Sequence, residues 1–597
     1  MIETAGSPTT VANCTTQHGM LIVWGHFART IGLLDHLGGV LVPQKTVLRP
    51  PHEKVVQLFV GLLSGIEYLT DLSEGAAPVV RDSEVATAWR LHPMADASSV
   101  SRTLQACDDD AVRMLQAALD VVGQPFLQRA IEDLRQRNET LLLDGDLTGR
   151  PVSSTSETFP GAAFGYMDGE VRLGYQLAQI CLQTHLFGRQ WLSAQHHPGS
   201  TVSSACLLDL VREAERQMGC HPRRRTELLQ QRIIACQQAI ALIEQQVKKR
   251  AQGVTAQAER IARLQERIRC GHDREQAWLK GPVSARQQGP YSKLNRLRKQ
   301  IASWQGQLAR VQRQLVRTRA ATEHHRQRMQ AQVVERDRLQ ERYDRFCQEN
   351  ASQPHPPRCK MRLDAGFCSA ENLTELVELG YDVDTKSGND ALVQALRKQV
   401  SSDQTWTTVG KNAEMVAWTS YYIHGCPYPL SVGLERFHTP KKTLHAVLVR
   451  YQERTDASCP DLEAWFHDYN GRQTIEAGNK EEKTTFKVQH LMSRSPAGIR
   501  IQAMLTVFAA NFVRWADEWV RPRVEQASGL FTEVLSSPKR LVRIAANSPA
   551  TIDRSDGHES VRFSPLSSFA GVAICVSSAI AHQLPLPLFT NARFSSQ

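Results

Sequence analysis

Three acidic positions in this 597-residue sequence stand where carboxylates can do chemistry. The run Leu141-Leu142-Leu143-Asp144-Gly145-Asp146-Leu147-Thr148 predicts a buried strand that ends near Asp146. Side chains alternate across a strand, so Asp144 and Asp146 emerge on one face. Asp364 follows a second short strand, Cys359 to Leu363, and precedes Ala365-Gly366-Phe367, where glycine permits a tight turn into a helix. A carboxylate there can face its counterpart on a neighbouring strand. The third acid, Glu476, belongs to a set with Tyr469, Arg472 and Lys483. At about 100° per residue a helix gathers these four into a stripe roughly 60° wide. Such a stripe is expensive to bury and suits phosphates and a hard divalent cation. The competing reading is a solvated helix carrying an Arg472–Glu476 ion pair.

The elements that must position these residues follow from periodicity. Residues 1–138 predict a helical unit, with an apolar-periodic stretch from Val55 to Leu69, a helix capped by Ser83 running to Leu91, and another capped by Ser98. Ser99, Ser101 and Arg102, near that helix start, are candidates to touch phosphates, although such residues more often cap helices or face water. Beyond the first acidic strand come strands at Val171–Thr184 and Gln190–His197 and a helix at Ser204–Met218. After Asp364, Ser369 caps a helix from Ala370 to Leu379, and Tyr381–Thr385 is again a strand. Residues 386–460 predict β-rich structure, with strands at Trp406–Val409, Val416–Ile423, Leu430–Phe437 and Leu444–Tyr451. Helices return at 461, and the apolar stretch Ile499–Trp519 should pack the back of a sheet. Past 536 a hairpin is expected, pairing Leu541–Ala546 with Ser560–Phe563 and turning near Asp556-Gly557.

Composition narrows the class. With 41% hydrophobic and 22% charged residues the chain is globular, which excludes a mostly disordered or fibrous protein. No basic region precedes the first apolar stretch, and the run Phe569–Ala581 is too short and serine-interrupted to span a bilayer, so no membrane partner is expected. Thirteen cysteines without a Cys-x-x-Cys pair predict free thiols in a reducing cytoplasm and leave oxygens to hold any metal. The formal charge of +10 is concentrated: residues 221–350 hold 28 Lys/Arg and 12 Asp/Glu, a net +16 that leaves −6 on the rest. Within that segment Ile233, Ile240, Val247, Val254, Ile261 and Ile268 recur every seven residues beside Leu229, Cys236, Ile243 and Leu264. A second seam begins Leu294, Ile301, Leu308, Leu315, after a break rich in glycine and proline between Gly271 and Pro290. Two long helices folding back as an antiparallel coiled-coil arm are therefore expected, with Arg250, Gln257, Thr318 and His325 interrupting the seams. The plain reading is a solvated rod; the sharper one is DNA contact through counterion release.

Taken together, the Leu-Leu-Leu-Asp-Gly-Asp-Leu-Thr strand, the Arg-Leu-Asp-Ala-Gly-Phe turn and the ungapped Tyr-x2-Arg-x3-Glu-x6-Lys spacing resemble the DDE transposases of bacterial insertion sequences that carry the Tyr-Arg-Glu-Lys signature, over roughly residues 50–550. The resemblance implies an α/β fold with a ribonuclease-H-like catalytic core split into 139–220, 351–385 and 461–535. Around it would lie an N-terminal helical domain at 1–138, a candidate for DNA binding, the basic coiled-coil insertion at 221–350, a β-rich insertion at 386–460 and a C-terminal hairpin region at 536–597. It implies metal-dependent cleavage of element ends and strand transfer into target DNA. Asp146, Asp364 and Glu476 would be the catalytic acids and would hold two Mg2+ ions, with Mn2+ as a substitute. Asp144 is the alternative first acid, because family strands reading Asp-x-Thr favour Asp146 whereas those reading Asp-Gly-Thr favour Asp144. Tyr469, Arg472 and Lys483 would handle DNA phosphates near the cleaved end. The implied partner is double-stranded DNA, both element ends and target, bound by a homodimer at the nucleoid in the cytoplasm. Trp406 and Trp418 are candidates to stack on a flipped base, core packing being the commoner fate of tryptophan. The coiled-coil arm departs from the family pattern. Two other readings stay open: a catalytically silent DNA-binding or scaffold protein, and a metal-dependent nuclease that cuts without joining.

Overall fold

The computed structural model describes residues 14–45, 48–91, 93–167, 169–280, 292–401, 405–453, 461–526, 538–555, 558–565, 567 and 569–576. They fall into two compact units, Arg224–Pro354 and the remainder of the chain.

In the larger unit, chain order begins with β1 (Cys14–Thr16) and the helices α1 (Gly19–Thr30), α2 (Leu33–Leu37), α3 (Pro51–Leu63), α4 (Ser83–Ala88), α5 (Ala97–Ala106) and α6 (Asp109–Gln136). Then come β2 (Leu141–Pro151), β3 (Ala163–Met167), β4 (Glu170–Thr184), β5 (Gly188–Pro198) and α7 (Ser203–Met218). The smaller unit supplies α8 (Thr226–Lys280) and α9 (Lys293–Ser352). The larger unit resumes with β6 (Cys359–Leu363), α10 (Ala370–Glu378), β7 (Asp382–Ser387) and α11 (Asp390–Gln399). It continues through β8 (Thr407–Gly410), β9 (Ala413–Tyr421), β10 (Leu430–His438), β11 (Thr443–Tyr451), α12 (Leu462–Asn470), α13 (Gln473–Thr485) and α14 (Pro496–Val520). The last elements are β12 (Val524–Gln526), α15 (Pro538–Ala546), β13 (Ala550–Ser555), β14 (His558–Phe563) and β15 (Ala573–Cys575).

A mixed sheet organises this unit. Its strands run β3-β4-β2-β6-β7-β11-β10-β9-β8, and β5 shares the outer edge of β4 with β3. β2, β6 and β7 are parallel to one another, while β4 is antiparallel to β2 and β5 to β4. The strands of the expected β-rich stretch extend this sheet, because β11 pairs antiparallel with β7. A helix, α11, precedes them. β2 also runs past the expected end at Asp146 to Pro151, so Asp144 and Asp146 sit mid-strand, paired to Cys181 and Gln179 of β4.

α14 is mostly apolar and buried around most of its circumference. It is long and apolar enough to cross a membrane, yet 89% of its most apolar window is buried inside the protein. Its aromatic residues knit the N-terminal helices to the sheet: Phe512 packs on Phe27 and Phe59, and Trp515 stacks on Phe126 at 4.5 Å. Residues 14–138 therefore share one core with the rest of the unit and are not a separate domain. β1 also pairs with β13 in a second, five-stranded sheet, β1-β13-β14-β15-β12. The segment Leu541–Ala546, expected as a strand, is helical; burial of Leu541, Val542, Ile544 and Ala545 follows helix spacing. The hairpin is β13 with β14, and its turn at Asp556-Gly557 lies outside the described residues. Helix caps differ too: Asp82 and Asp96 accept the first-turn backbone hydrogen bonds of α4 and α5, not Ser83 and Ser98.

In the smaller unit α8 and α9 pack against each other as an antiparallel hairpin. Arg224 pairs with Glu349, Arg232 with Glu335, Gln257 with Thr318 and Arg298 with Glu275, so partners descend along α9 as they ascend along α8. Leu229, Ile233, Ile243 and Leu264 of one helix and Ile301, Val311, Leu339 and Phe346 of the other are buried in the seam. Gly271 lies within α8, which runs on to Lys280, and the remaining break residues 281–290 lie outside the described residues. At 55 and 60 residues the helices reach about 80–90 Å at 1.5 Å per residue.

Candidate active site

Asp144 and Asp146 share a strand face but not an environment. Asp144 is fully buried, and Arg362 on β6 grips it, donating from Nε to Oδ1 at 2.6 Å and from Nη2 to Oδ2 at 2.9 Å. Gln183 adds a bond to Oδ2 at 2.8 Å. Buried carboxylates persist when paired and hydrogen-bonded in this way, which makes Asp144 a structural ion-pair partner and not a free ligand. Gly145 between them is required by close packing: a Cβ there would lie 2.6 Å from Leu363 Cδ2 on β6.

Asp146 faces a cleft of ≈ 840 Å³, also lined by Asp364, Glu476, Asn479, Lys480 and Lys483. Burial pushes its carboxyl up to about 6; Arg472 pulls against that and Asp364 adds to it. Asn479, buried on α13, donates to Asp146 Oδ2. Asp364 stands at the end of β6, where it caps the Ala365–Phe367 turn and accepts from Gly366 N at 3.0 Å. Burial raises its pKa as well, opposed by Arg472. Glu476 rises from the first turn of α13, where the helix N-terminus favours a negative charge. Its side chain is 57% exposed.

The expected four-residue stripe is changed by a tightened turn. α12 and α13 are separated at Gly471 and Arg472, where backbone bonds run from Arg472 to Tyr469 and from Ile475 to Arg472 in i→i−3 fashion. The Tyr469 ring is buried with Val409, Met415, Leu448 and Trp465, and its hydroxyl donates to the Leu363 carbonyl at 3.2 Å. Tyr469 thus braces the strand that carries Asp364. Arg472 is also buried; its Nη2 donates to Glu476 Oε1 at 2.8 Å and its Nη1 lies 3.7 Å from Asp146 Oδ1. Burial works against its charge, but the carboxylates of Asp146, Asp364 and Glu476 outweigh that and raise its pKa. Lys483 lines the cleft.

On α13 two polar cleft residues escaped the sequence reading, Asn479 and Lys480. Their signal was present: they follow Glu476 by three and four residues, hence on its helix face. Trp406 stacks on the Arg436 guanidinium, 4.0 Å from the ring centroid, and is half-buried, as is Trp418.

No protein-family model matches the sequence, and no curated protein matches it. Among solved structures, the chain is similar to a piggyBac transposase in a synaptic complex with hairpin DNA, seen by cryo-EM. The TM-score is 0.36 and the identity 10%, over 90% of this chain and 82% of that chain.

The donor chemistry of the cleft fits a hard cation, since Asp146, Asp364 and Glu476 offer only oxygens. Their placement is looser: among the described residues no three His, Cys, Asp or Glu side chains converge tightly enough to hold an ion. The Arg472 guanidinium reaches two of the three acids.

Proposed function

We propose that this chain is a DDE-type DNA transposase that cuts the ends of its element and joins them to target DNA. The observation that carries the reading is that Asp146, Asp364 and Glu476, from β2, the end of β6 and α13, border one cleft together with Lys480 and Lys483. The strand order β5-β4-β2-β6-β7, in which β4 alone runs against the other four strands, is consistent with a ribonuclease-H-like core. Asp146, Asp364 and Glu476 would hold two Mg2+ ions once drawn together around them, and the bound metal would supply the Lewis-acid chemistry of phosphoryl transfer. Lys480 and Lys483 would neutralise phosphate charge at the cleft mouth. Arg472 would keep the acid side chains apart until the site is loaded, and Asn479 would fix the rotation of Asp146.

The test is incubation of the protein with duplex DNA carrying the element's own ends and Mg2+, scoring nicks, hairpins and joined products. The parent should yield joined product, and Asp146→Asn, Asp364→Ala and Glu476→Ala should each yield none while still binding DNA. Turnover by those variants within a few-fold of the parent would overturn the site. Nicks without joining would indicate a nuclease, and binding without any product a silent scaffold.

A further inference from the structure

The charge of the helical hairpin is segregated along its length. Between residues 248 and 328 there are 20 Lys/Arg and 5 Asp/Glu, whereas the rest of 221–350 holds 8 and 7. The half nearest the hairpin's ends is thus almost neutral and ion-paired, through Arg224–Glu349, Arg232–Glu335, Arg336–Asp337 and Arg338–Glu335. The distal half carries nearly all of the excess.

Within the distal half the cations are also sorted by face. On α9, Arg296, Lys299, Arg310, Arg313, Arg317 and Arg328 fall within about 100° of arc at roughly 100° per residue. That arc lies opposite the buried seam residues Ile301 and Val311. On α8, Lys249, Arg260, Arg263, Arg267 and Arg274 fall within about 60°. Every one of these side chains is exposed, and none has a carboxylate partner among the described residues. Glu259, Glu266, Asp273 and Glu323, the acids of the same stretches, project outside both arcs by the same geometry. A hairpin that needed charge only for solubility would intersperse both signs on its surface.

We infer that the distal half of the hairpin is a docking surface for duplex DNA, gripped through these two acid-free stripes, and that the half nearest its ends contributes no contact. The choice of duplex DNA as the polyanion rests on the transposase reading. The stripes run about 48 Å along α9 and about 38 Å along α8, the former matching roughly 14 base pairs at 3.4 Å per step. Nine of the eleven cations are arginines, whose forked guanidinium suits phosphate oxygens.

The experiment compares two triple variants of the full chain, Arg310→Gln/Arg313→Gln/Arg317→Gln in the distal stripe and Arg336→Gln/Arg338→Gln/Arg345→Gln near the ends. Glutamine preserves helix propensity, and circular dichroism checks that both remain folded. Affinity for a duplex longer than the stripe is read by fluorescence anisotropy at several salt concentrations between about 50 and 200 mM. The distal variant should bind tenfold or more weakly and lose about two to three from the salt slope, at about 0.9 per phosphate contact. The control should stay within twofold of the parent. A distal variant with parental affinity and slope overturns the inference, and so does an equal loss in both variants, which would mean a diffuse charge effect. Products scored in the same reactions at saturating DNA keep the two readings apart. A distal variant that cuts normally with unaltered affinity sinks the docking surface alone. A parent that never cuts, but whose affinity depends on the distal stripe, sinks the transposase alone.

Discussion

Two carboxylates on one strand receive different chemistry from their neighbours. Asp144 neutralises Arg362, so Asp144→Asn leaves that buried guanidinium with only the more distant Asp468 carboxylate, at 3.9 Å, and should lower stability by about 3 kcal/mol in urea denaturation. Asp146 is held against its own burial, so Asp146→Asn should leave stability unchanged or slightly higher while abolishing Mg2+-dependent cleavage. Glu482 offers a pH-dependent case. It is buried on α13, bonded by Gln179 at 3.0 Å, and burial raises its pKa to about 7 from 4.5. A carboxyl raised on folding favours the folded state at low pH and loses that advantage as pH climbs from 4.5 through 7. Glu482→Gln should therefore gain on the parent by about 3 kcal/mol between pH 4.5 and pH 8, read from denaturation midpoints. The sequence showed the Asp-Gly-Asp spacing plainly. It did not show which aspartate meets the cleft, because that is decided by Arg362, remote in sequence and adjacent only through the β2–β6 pairing.

α13 is seated close enough to β5 that Arg189 passes beneath it, and a Cβ on Gly478 would lie 2.3 Å from the Arg189 guanidinium carbon. Gly478→Ala should cost about 1–3 kcal/mol by overpacking and, by lifting the helix that bears Glu476, slow any cleavage. Gly253, by contrast, sits mid-helix in α8 with nothing near its missing Cβ. Gly253→Ala should stabilise the hairpin by about 1 kcal/mol in thermal denaturation. An unchanged melting profile for both would show that neither helix is limited by these glycines. Elements with strong periodicity were readable: β6 spans the residues expected, and the heptads mark both hairpin helices. The tightened turn at Gly471 was not, since both residues keep helical torsions and only the hydrogen-bond pattern shifts. Nor was the fusion of β8–β11 with the main sheet, because a run of strands does not announce which edge it will extend.

For the whole molecule, the division into two units gives a direct test. Arg224 N bonds Asn350 Oδ1 at 2.8 Å, so the hairpin's ends lie together and a short Gly/Ser linker can replace 224–354. That deletion removes a net +15 and leaves −5. The shortened protein should stay folded and lose most of its affinity for DNA, whereas a hairpin serving as a dimer rod would instead lose its oligomer by light scattering with affinity per protomer kept. The five-stranded sheet imposes a different condition, one of timing. Cys14–Thr16 pairs as a strand with Ala550–Ile552, which a ribosome adding about 5–20 residues per second delivers roughly half a minute to two minutes later. Until α14 emerges the early helices wait with the apolar faces meant for it uncovered, so the nascent chain should depend on chaperones, and the unit should close its fold only after Ala550–Ile552 has been made.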